Sequence, residues 1–480
     1  MPQHRSAPRR PRTSPVARRA VGVLAAAVVL LAAGATAAQA GTNYLPKKLA
    51  LLTNARYNHD CFWAPPKGMD YAFLPGATEI QNPNLYPDVG STYFVGQYLL
   101  PAGASLTFNG QYGHERYMSW TMFAAVGGNQ LGPGDHLRDF QIAPDKGSVN
   151  PFVTKNRRDA KKRNYTMHIV SGPVPAKRAP NTIYTGSTDP TQRVGMSIRN
   201  YIPDLGRDGT GDVGLPKLTL TQADGSTLQG QAACDVLQPI KSKSLSTFPP
   251  EAWKSLVAAA PDPTNAPAAN PAKWERFWNA NYTVAGIFEP DPAKRLAQYP
   301  PSDVGGFQSN PDTRYMFTQL SLKFGPVVTV SGRMPTFPAT LPKATTWSPR
   351  STQVRYWSLC TGSSPVSGLG YDCVYDQQVP LRGNRQYTLV VSKPADRPKN
   401  ATPKCGYRWL TFGKGENYPD PAARDWVGVL YMRFMAANPS FKQAPQNVKT
   451  PGTEAKVMGP YYPSSSYTTK SAFEKRGCQK

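Results

Sequence analysis

Acidic residues are scarce in this chain: 30 Asp and Glu stand against 55 Lys and Arg, a formal net charge of +25. Histidine is scarcer, with five in 480 residues and only His59, His114, His136 and His168 after the first forty. No C-x-x-C occurs, which argues against zinc and thioredoxin-type thiolate chemistry. No P-loop and no G-x-S-x-G nucleophile elbow occur either. Zinc-finger spacing, the aromatic ribonucleoprotein signature and a heptad zipper are also missing, so the positive charge comes without a specific nucleic-acid module. The dinucleotide pattern G-x-G-x-x-G matches by letter at Gly209-Thr210-Gly211-Asp212-Val213-Gly214. Leu215-Pro216 and the strand-like Lys217-Leu218-Thr219-Leu220 come directly after it, where a pyrophosphate site needs a helix N-terminus.

What is present begins with an export pattern. Residues 1–19 hold six Arg and no acid, an apolar run Val21-Gly22-Val23-Leu24-Ala25-Ala26-Ala27-Val28-Val29-Leu30-Leu31 comes next, and Ala38-Gln39-Ala40 closes the segment. A basic region, a short apolar core and an A-x-A site predict a signal peptide over 1–40, exported by the general secretory or the twin-arginine route. Removing its six basic residues leaves 49 basic against 30 acidic residues, a net charge of +19. Such a surplus favours polyanions: an anionic cell-wall polymer or glycan, or peripheral contact with a membrane of anionic lipid. The densest basic run is KNRRDAKKR at 155–163, which reads as a solvated loop.

All six cysteines lie after residue 40, and an exported chain with an even number implies disulfides. Cys360 and Cys373 flank a Gly- and Ser-rich loop between two strand-like runs and are expected to close a hairpin. Cys61–Cys234 and Cys405–Cys478 complete the expected set, out of 15 pairings that six cysteines allow.

Three blocks recur in the same order. The first pairs STYFVGQYLLPAGASLTFNGQ after Asp88 with TRYMFTQLSLKFGPVVTVSGR after Asp312, each leading on to Arg116-Tyr117-Met118-Ser119-Trp120 and Arg355-Tyr356-Trp357-Ser358-Leu359. The second pairs Asn164-Tyr165-Thr166 with Gln386-Tyr387-Thr388. The third pairs VGMSIRNYIP with VGVLYMRFMA. The runs are short, alternate apolar with polar, and are broken by Gly, Pro, Asn and Asp. They predict a mainly β chain: two tandem antiparallel β-sandwich, jelly-roll-like domains from a duplication, over 41–240 and 301–480. A short helical and Pro/Ala-rich linker is expected over 241–300, with helices after Pro249-Pro250-Glu251 and after Pro271.

The Pro311-Asp312-Thr313-Arg314-Tyr315, Gly325-Pro326-Val327-Val328 and Arg355-Tyr356-Trp357-Ser358 strands resemble a family of secreted bacterial envelope proteins of unknown function. Its members carry Asp-Thr-x-Tyr, Gly-Pro-x-Val and Arg-Tyr-aromatic strands, commonly in paired β domains. The first half has Asp88-Val89-Gly90-Ser91-Thr92-Tyr93 in place of the Asp-Thr pattern. Its Tyr201-Ile202-Pro203-Asp204 segment looks like a motif of related actinobacterial secreted proteins. The resemblance implies an architecture and no activity.

Candidate chemistry is thin. His59, His114, Glu115 and His136 are the available acid–base groups, although alternation along a strand would point His114 and Glu115 apart. Asp204, Asp208 and Asp212 in a turn-rich segment make calcium the candidate cofactor; no other is expected. Tyr93 with Tyr315 and Arg116 with Arg355 occupy matching places in the two halves. They serve either as scaffold, with an Arg on Asp88 or Asp312, or as an aromatic pocket with an Arg for an anionic ligand. The leading expectation is a secreted, envelope-associated binding protein for an anionic or carbohydrate-like ligand. The alternatives are a secreted hydrolase acting on a glycan or other polymer and a structural cell-surface protein.

Overall fold

The computed structural model describes residues 61–64, 86–125, 131–153, 155–240, 250–261, 263, 265–303, 310–341, 351–362, 370–412 and 426–479. All of them lie within one compact unit, Tyr44–Lys480. The expected signal segment and His59 fall outside the described residues. Among those residues no helix is long and apolar enough to cross a membrane.

The chain is mainly β. The first half supplies β1 (Ser91–Tyr98), β2 (Ser105–Gln111), β3 (Glu115–Ala125), β4 (Leu131–Arg138), β5 (Asn164–Val170), β6 (Thr182–Tyr184), β7 (Val194–Pro203), β8 (Lys217–Thr221) and β9 (Thr227–Gln229). The second supplies β10 (Glu275–Arg276), β11 (Thr313–Ser321), β12 (Val327–Arg333), β13 (Tyr356–Gly362), β14 (Gly370–Tyr375), β15 (Gln386–Ser392), β16 (Arg408–Thr411), β17 (Val427–Met435) and β18 (Ser464–Thr468). They form four sheets, ordered β1-β7-β3-β4, β6-β5-β2-β8-β9, β10-β11-β17-β13-β14 and β16-β15-β12-β18. Pairings are antiparallel except β5–β6 and β15–β16. Strand order and the parallel edge pair therefore recur in the two halves.

Period-two alternation sets the faces. In β2 the side chains of Leu106 and Phe108 are buried between half-buried Ser105 and Thr107, as expected of a strand with one covered face. β7 and β17 are buried along their whole length. Met196 and Ile198 of β7 enter the core shared with β2 and β5, while Tyr201 packs with Tyr356 and Met435 of the second half. Both faces are covered, and that is why VGMSIRNYIP reads as a long run with little alternation. Each half has its own apolar core, and tyrosine-rich clusters join the halves.

Three disulfides link Cys61–Cys234, Cys360–Cys373 and Cys405–Cys478. Cys360 and Cys373 stand directly opposite each other in the β13–β14 hairpin. α1 (Gly230–Leu237) ends the first half with Ala233, Cys234 and Leu237 in its core, and α2 (Pro250–Ala258) and α3 (Pro292–Gln298) lie between the halves. The helix expected after Pro271 does not form. Glu275 and Arg276 instead pair with Phe317 and Met316 at the sheet edge. Trp274 and Trp278 pack into the second core and Arg276 donates to the Val448 carbonyl, so tertiary contacts override the helical spacing.

Candidate functional site

Strand register defines which residues of the two halves correspond. Tyr117 pairs with Tyr201 as Tyr356 pairs with Met435, and Ser119 pairs with Arg199 as Ser358 pairs with Arg433. One residue beyond each pair, Ile202 and Ala436 adopt positive φ of 50° and 47°. Alternation breaks there, since Tyr201 and Ile202 belong to one cluster, joined by Met435 and Ala436. A β-branched residue held at positive φ is strained and persists only where its surroundings dictate it. At this level of the sheets the neighbouring strands place Arg116 and Arg355.

Those two arginines cross between the halves. Arg116 Nη1 lies 2.8 Å from both carboxyl oxygens of Asp376, while its Nε donates to Thr340 and its Nη2 to Gln377. Arg355 donates to Asp139 through Nη1 at 2.9 Å and Nη2 at 2.8 Å, and through Nε to the Arg116 carbonyl. Each aspartate directly follows a corresponding strand, β4 or β14. Each also accepts the next residue's amide and one from its own half, Met118 for Asp139 and Trp357 for Asp376. Burial raises both carboxyls from their ordinary range, against the pull of the facing guanidinium.

Asp88 and Asp312 make a second reciprocal pair. Asp88 accepts from Tyr356 at 2.6 Å and Ser358 at 2.6 Å, and pairs with Arg433 at 3.0 Å. Asp312 accepts from Tyr117 at 2.5 Å, with Arg138 at 2.5 Å and His136 Nε2 at 3.0 Å. The expectation that Arg116 or Arg355 would hold Asp88 or Asp312 is corrected. They reach Asp376 and Asp139, residues that no motif marks. Tyr93 and Tyr315 lie half-buried along the same seam. The Tyr93 hydroxyl is 3.4 Å from that of Tyr201, and Arg433 covers the Tyr315 ring at 5.5 Å.

The remaining candidates separate. His136 bridges Thr121 and Asp312. His114 faces the Arg163 guanidinium, and burial, then Arg163 and Arg207, lowers its pKa to about 4. Asp204 pairs with Arg158 at 2.6 Å. Asp208 Oδ1 accepts from the Thr210 hydroxyl and the Thr210 and Asp212 amides; Asp212 accepts from the Asp208 amide and Arg207. Asp204, Asp208 and Asp212 do not converge on one point. Among the described residues a close group of ligand atoms occurs at Asp88, Cys360 and Cys373, whose sulfurs form a disulfide. The basic run 155–163 is no free loop throughout, since Arg158 and Arg163 are buried while Lys155, Lys161 and Lys162 stay exposed.

Glu115 is the exception to this order. It is 1% exposed, and neither carboxyl oxygen has a hydrogen-bond partner among the described residues. It lines a narrow pit with Phe94, Met118, Ile198, Asn200 and Thr210, closed by the 213–216 segment. The space holds about one water molecule. Burial, then Asp139, raises the carboxyl well above its usual range, with Arg163 opposing. In the sequence Glu115 stands out only beside His114. The pit itself is assembled from strands and a loop more than a hundred residues apart, and the G-x-G-x-x-G letters at 209–214 fall on its wall without signalling it.

No family model and no curated protein matches the chain. Among solved structures it is similar to an uncharacterized protein from Burkholderia cenocepacia, with a TM-score of 0.43 and 11% identity over 90% of this chain and 88% of that one. It is also similar to the VPA0106 protein from Vibrio parahaemolyticus, with a TM-score of 0.33 and 8% identity over 79% and 89% of the two chains.

Proposed function

We propose that this chain is an exported, envelope-associated binding protein whose exterior holds an anionic or carbohydrate-like polymer. The observation that carries the reading is how charge is divided between inside and outside. Among the described residues seven acids are buried (Asp88, Glu115, Asp135, Asp139, Asp312, Asp376 and Glu454), together with eight arginines. No described lysine is buried. Among the described residues interior charges nearly cancel, so in this reading the surplus of +19 left after residue 40 is carried by the exterior, where a polyanion meets it. Lys155, Lys161 and Lys162, on a loop pinned by buried Arg158 and Arg163, are the first contact we assign.

In this reading residues 1–40 are removed on export, and 41–240 and 301–480 are duplicated sandwich domains joined by 241–300. The chain would then be a relative of the secreted envelope proteins its strands resemble. The recurrent sheet order and the disulfides support this. A hydrolase would have to draw on His114 and His136, which already face Arg163 and Asp312.

The test is binding to dextran sulfate, with neutral dextran as control, across a NaCl series. Retention on the anionic polymer at 50 mM salt, lost by 1 M and weakened several-fold in a Lys155→Glu/Lys161→Glu/Lys162→Glu chain, is expected. Equal retention on neutral dextran, or none on either, rejects an electrostatic polymer site.

A further inference from the structure

The recurrent sheet order lets one half serve as a control for the other. β15, β16 and β18 stand in the second half where β5, β6 and β8 stand in the first, so the segments joining β15 to β16 and following β18 have counterparts. In the first half those counterparts, 171–181 and 222–237, hold Lys177 and Arg178 against Asp224 and Asp235, and their charges cancel. In the second half, 393–407 and 469–479 hold seven bases against Asp396 and Glu474, a net +5 within 26 residues. Like charges held together cost stability, and the first half shows that the scaffold packs without them.

The fold gathers this charge onto one surface. Cys405–Cys478 links the two segments, and the Gln479 amide donates to the Cys405 carbonyl beside it. Asn400 Nδ2 donates to the Gly477 carbonyl at 2.8 Å, and the Lys399 amide to Glu474 Oε1 at 2.8 Å. Phe473 enters a small core with Ala401 and Tyr407, and Lys470 Nζ reaches the Ala395 carbonyl. Arg397 lies over the Trp409 ring at 4.6 Å and Arg476 over the Phe473 ring at 5.4 Å. Arg397, Lys399, Lys404, Lys475 and Arg476 are exposed and have no ion pair among the described residues. Arg408 is not part of this face, because alternation along β16 turns it away from Tyr407 and Trp409.

The kind of partner follows from what this surface offers. Guanidinium and ammonium groups donate to phosphate, sulfate or carboxylate oxygens. The large apolar side chains that are exposed, Phe140, Val153, Val174, Leu205 and Leu296, all lie outside these two segments. The face therefore gives a bilayer no large exposed side chain to bury at the acyl boundary, whereas a soluble polymer needs only charge and donors.

We infer that this clasped basic surface is the principal docking face for a linear polymer of repeated phosphate- or sulfate-type groups. The inference rests on the polyanion reading above and gives it a place, with the 155–163 loop as the lesser contact.

The test is titration of the full chain with dextran sulfate at several NaCl concentrations, and with phosphatidylglycerol vesicles in parallel. Lys399→Glu/Lys404→Glu/Lys475→Glu should weaken polymer binding at least tenfold and lower the slope of log Kd against log salt by about two to three. The Lys155→Glu/Lys161→Glu/Lys162→Glu chain should lose only several-fold. Thermal melting reports whether each variant is folded, and the same three lysines changed to Gln carry the test where charge reversal disturbs folding. Absence of wild-type binding to dextran sulfate rejects the polyanion reading itself. Wild-type binding that the clasp variant retains, or loses no more than the loop variant does, overturns this inference alone. Tighter binding to the vesicles than to the polymer, lost in the clasp variant, also overturns it and makes the face a membrane contact.

Discussion

Asp88 and Asp312 hold corresponding places, yet their partners differ. Asp88 is met by a buried guanidinium, Arg433, with Tyr356 and Ser358. Asp312 is met by Tyr117, by His136, and by Arg138, whose side chain is 39% exposed. Arg199, which corresponds to Arg433, turns to the Thr121 hydroxyl and the Phe123 ring. Burial pushes the Asp312 carboxyl up, but His136 and Arg138 outweigh it and hold it below the usual carboxylate range. A buried acid has to be matched, and the residue that matches it is free to change. By contrast, the Arg116–Asp376 and Arg355–Asp139 braces keep the same two residue types on both sides, although Arg116 reaches its aspartate through Nη1 alone and Arg355 through both Nη atoms.

The strongest test of that contrast is to break the braces. Asp139→Ala and Asp376→Ala should each cost about 3–5 kcal/mol, because each leaves a guanidinium buried without a counterion. Urea unfolding measures both, and losses differing by more than about 2 kcal/mol would deny that the braces are equivalent. Next come the anchors. Arg433→Met should cost about 3 kcal/mol, whereas Arg138→Met, at a partly exposed site, should cost about 1 kcal/mol. Equal losses would mean that burial does not separate them.

Glu115→Leu makes the first half resemble the second, which has Val354 at the corresponding place, and should gain about 1–2 kcal/mol at pH 7. Its sign with pH is fixed by the raised carboxyl. Native Glu115 keeps its proton where the unfolded chain loses it, so the native residue costs stability as pH rises above about 4.5. The gain from leucine should therefore grow with pH, and a gain that shrinks would contradict the burial. The smallest effect belongs to His114. Its folded pKa of about 4 lies below the unfolded value near 6.5, so stability falls as pH drops from about 6.5 toward 4. Half exposure screens this to about 1 kcal/mol, and His114→Gln should flatten the slope in thermal melts across that window.

Much of the scaffold can be read from the residues, because matching residues stand at corresponding places in the two halves: Asp88 and Asp312, Arg116 and Arg355, and Tyr165 and Tyr387. The alignment of VGMSIRNYIP with VGVLYMRFMA slips by one place, setting Arg199 against Met432. The register sets Arg199 against Arg433, since Val-Gly recurs in both strands at different heights. Asp139 and Asp376 escape notice because their partners lie 216 and 260 residues away and nothing local signals the contact. The pit is legible only as Glu115. Its other walls come from β1, β5, β7 and a loop, and the lack of a partner is a property of three-dimensional packing.

The reciprocal braces have one further consequence. A contact in which Arg116 seeks the aspartate after β14 while Arg355 seeks the one after β4 is an isologous contact, the kind that joins identical subunits about a two-fold axis. The first half alone contains both members, Arg116 and Asp139, and the second contains both, Arg355 and Asp376. Each half thus carries the complement of its own inner face, and the chain has the internal geometry of a homodimer tied into a single polypeptide.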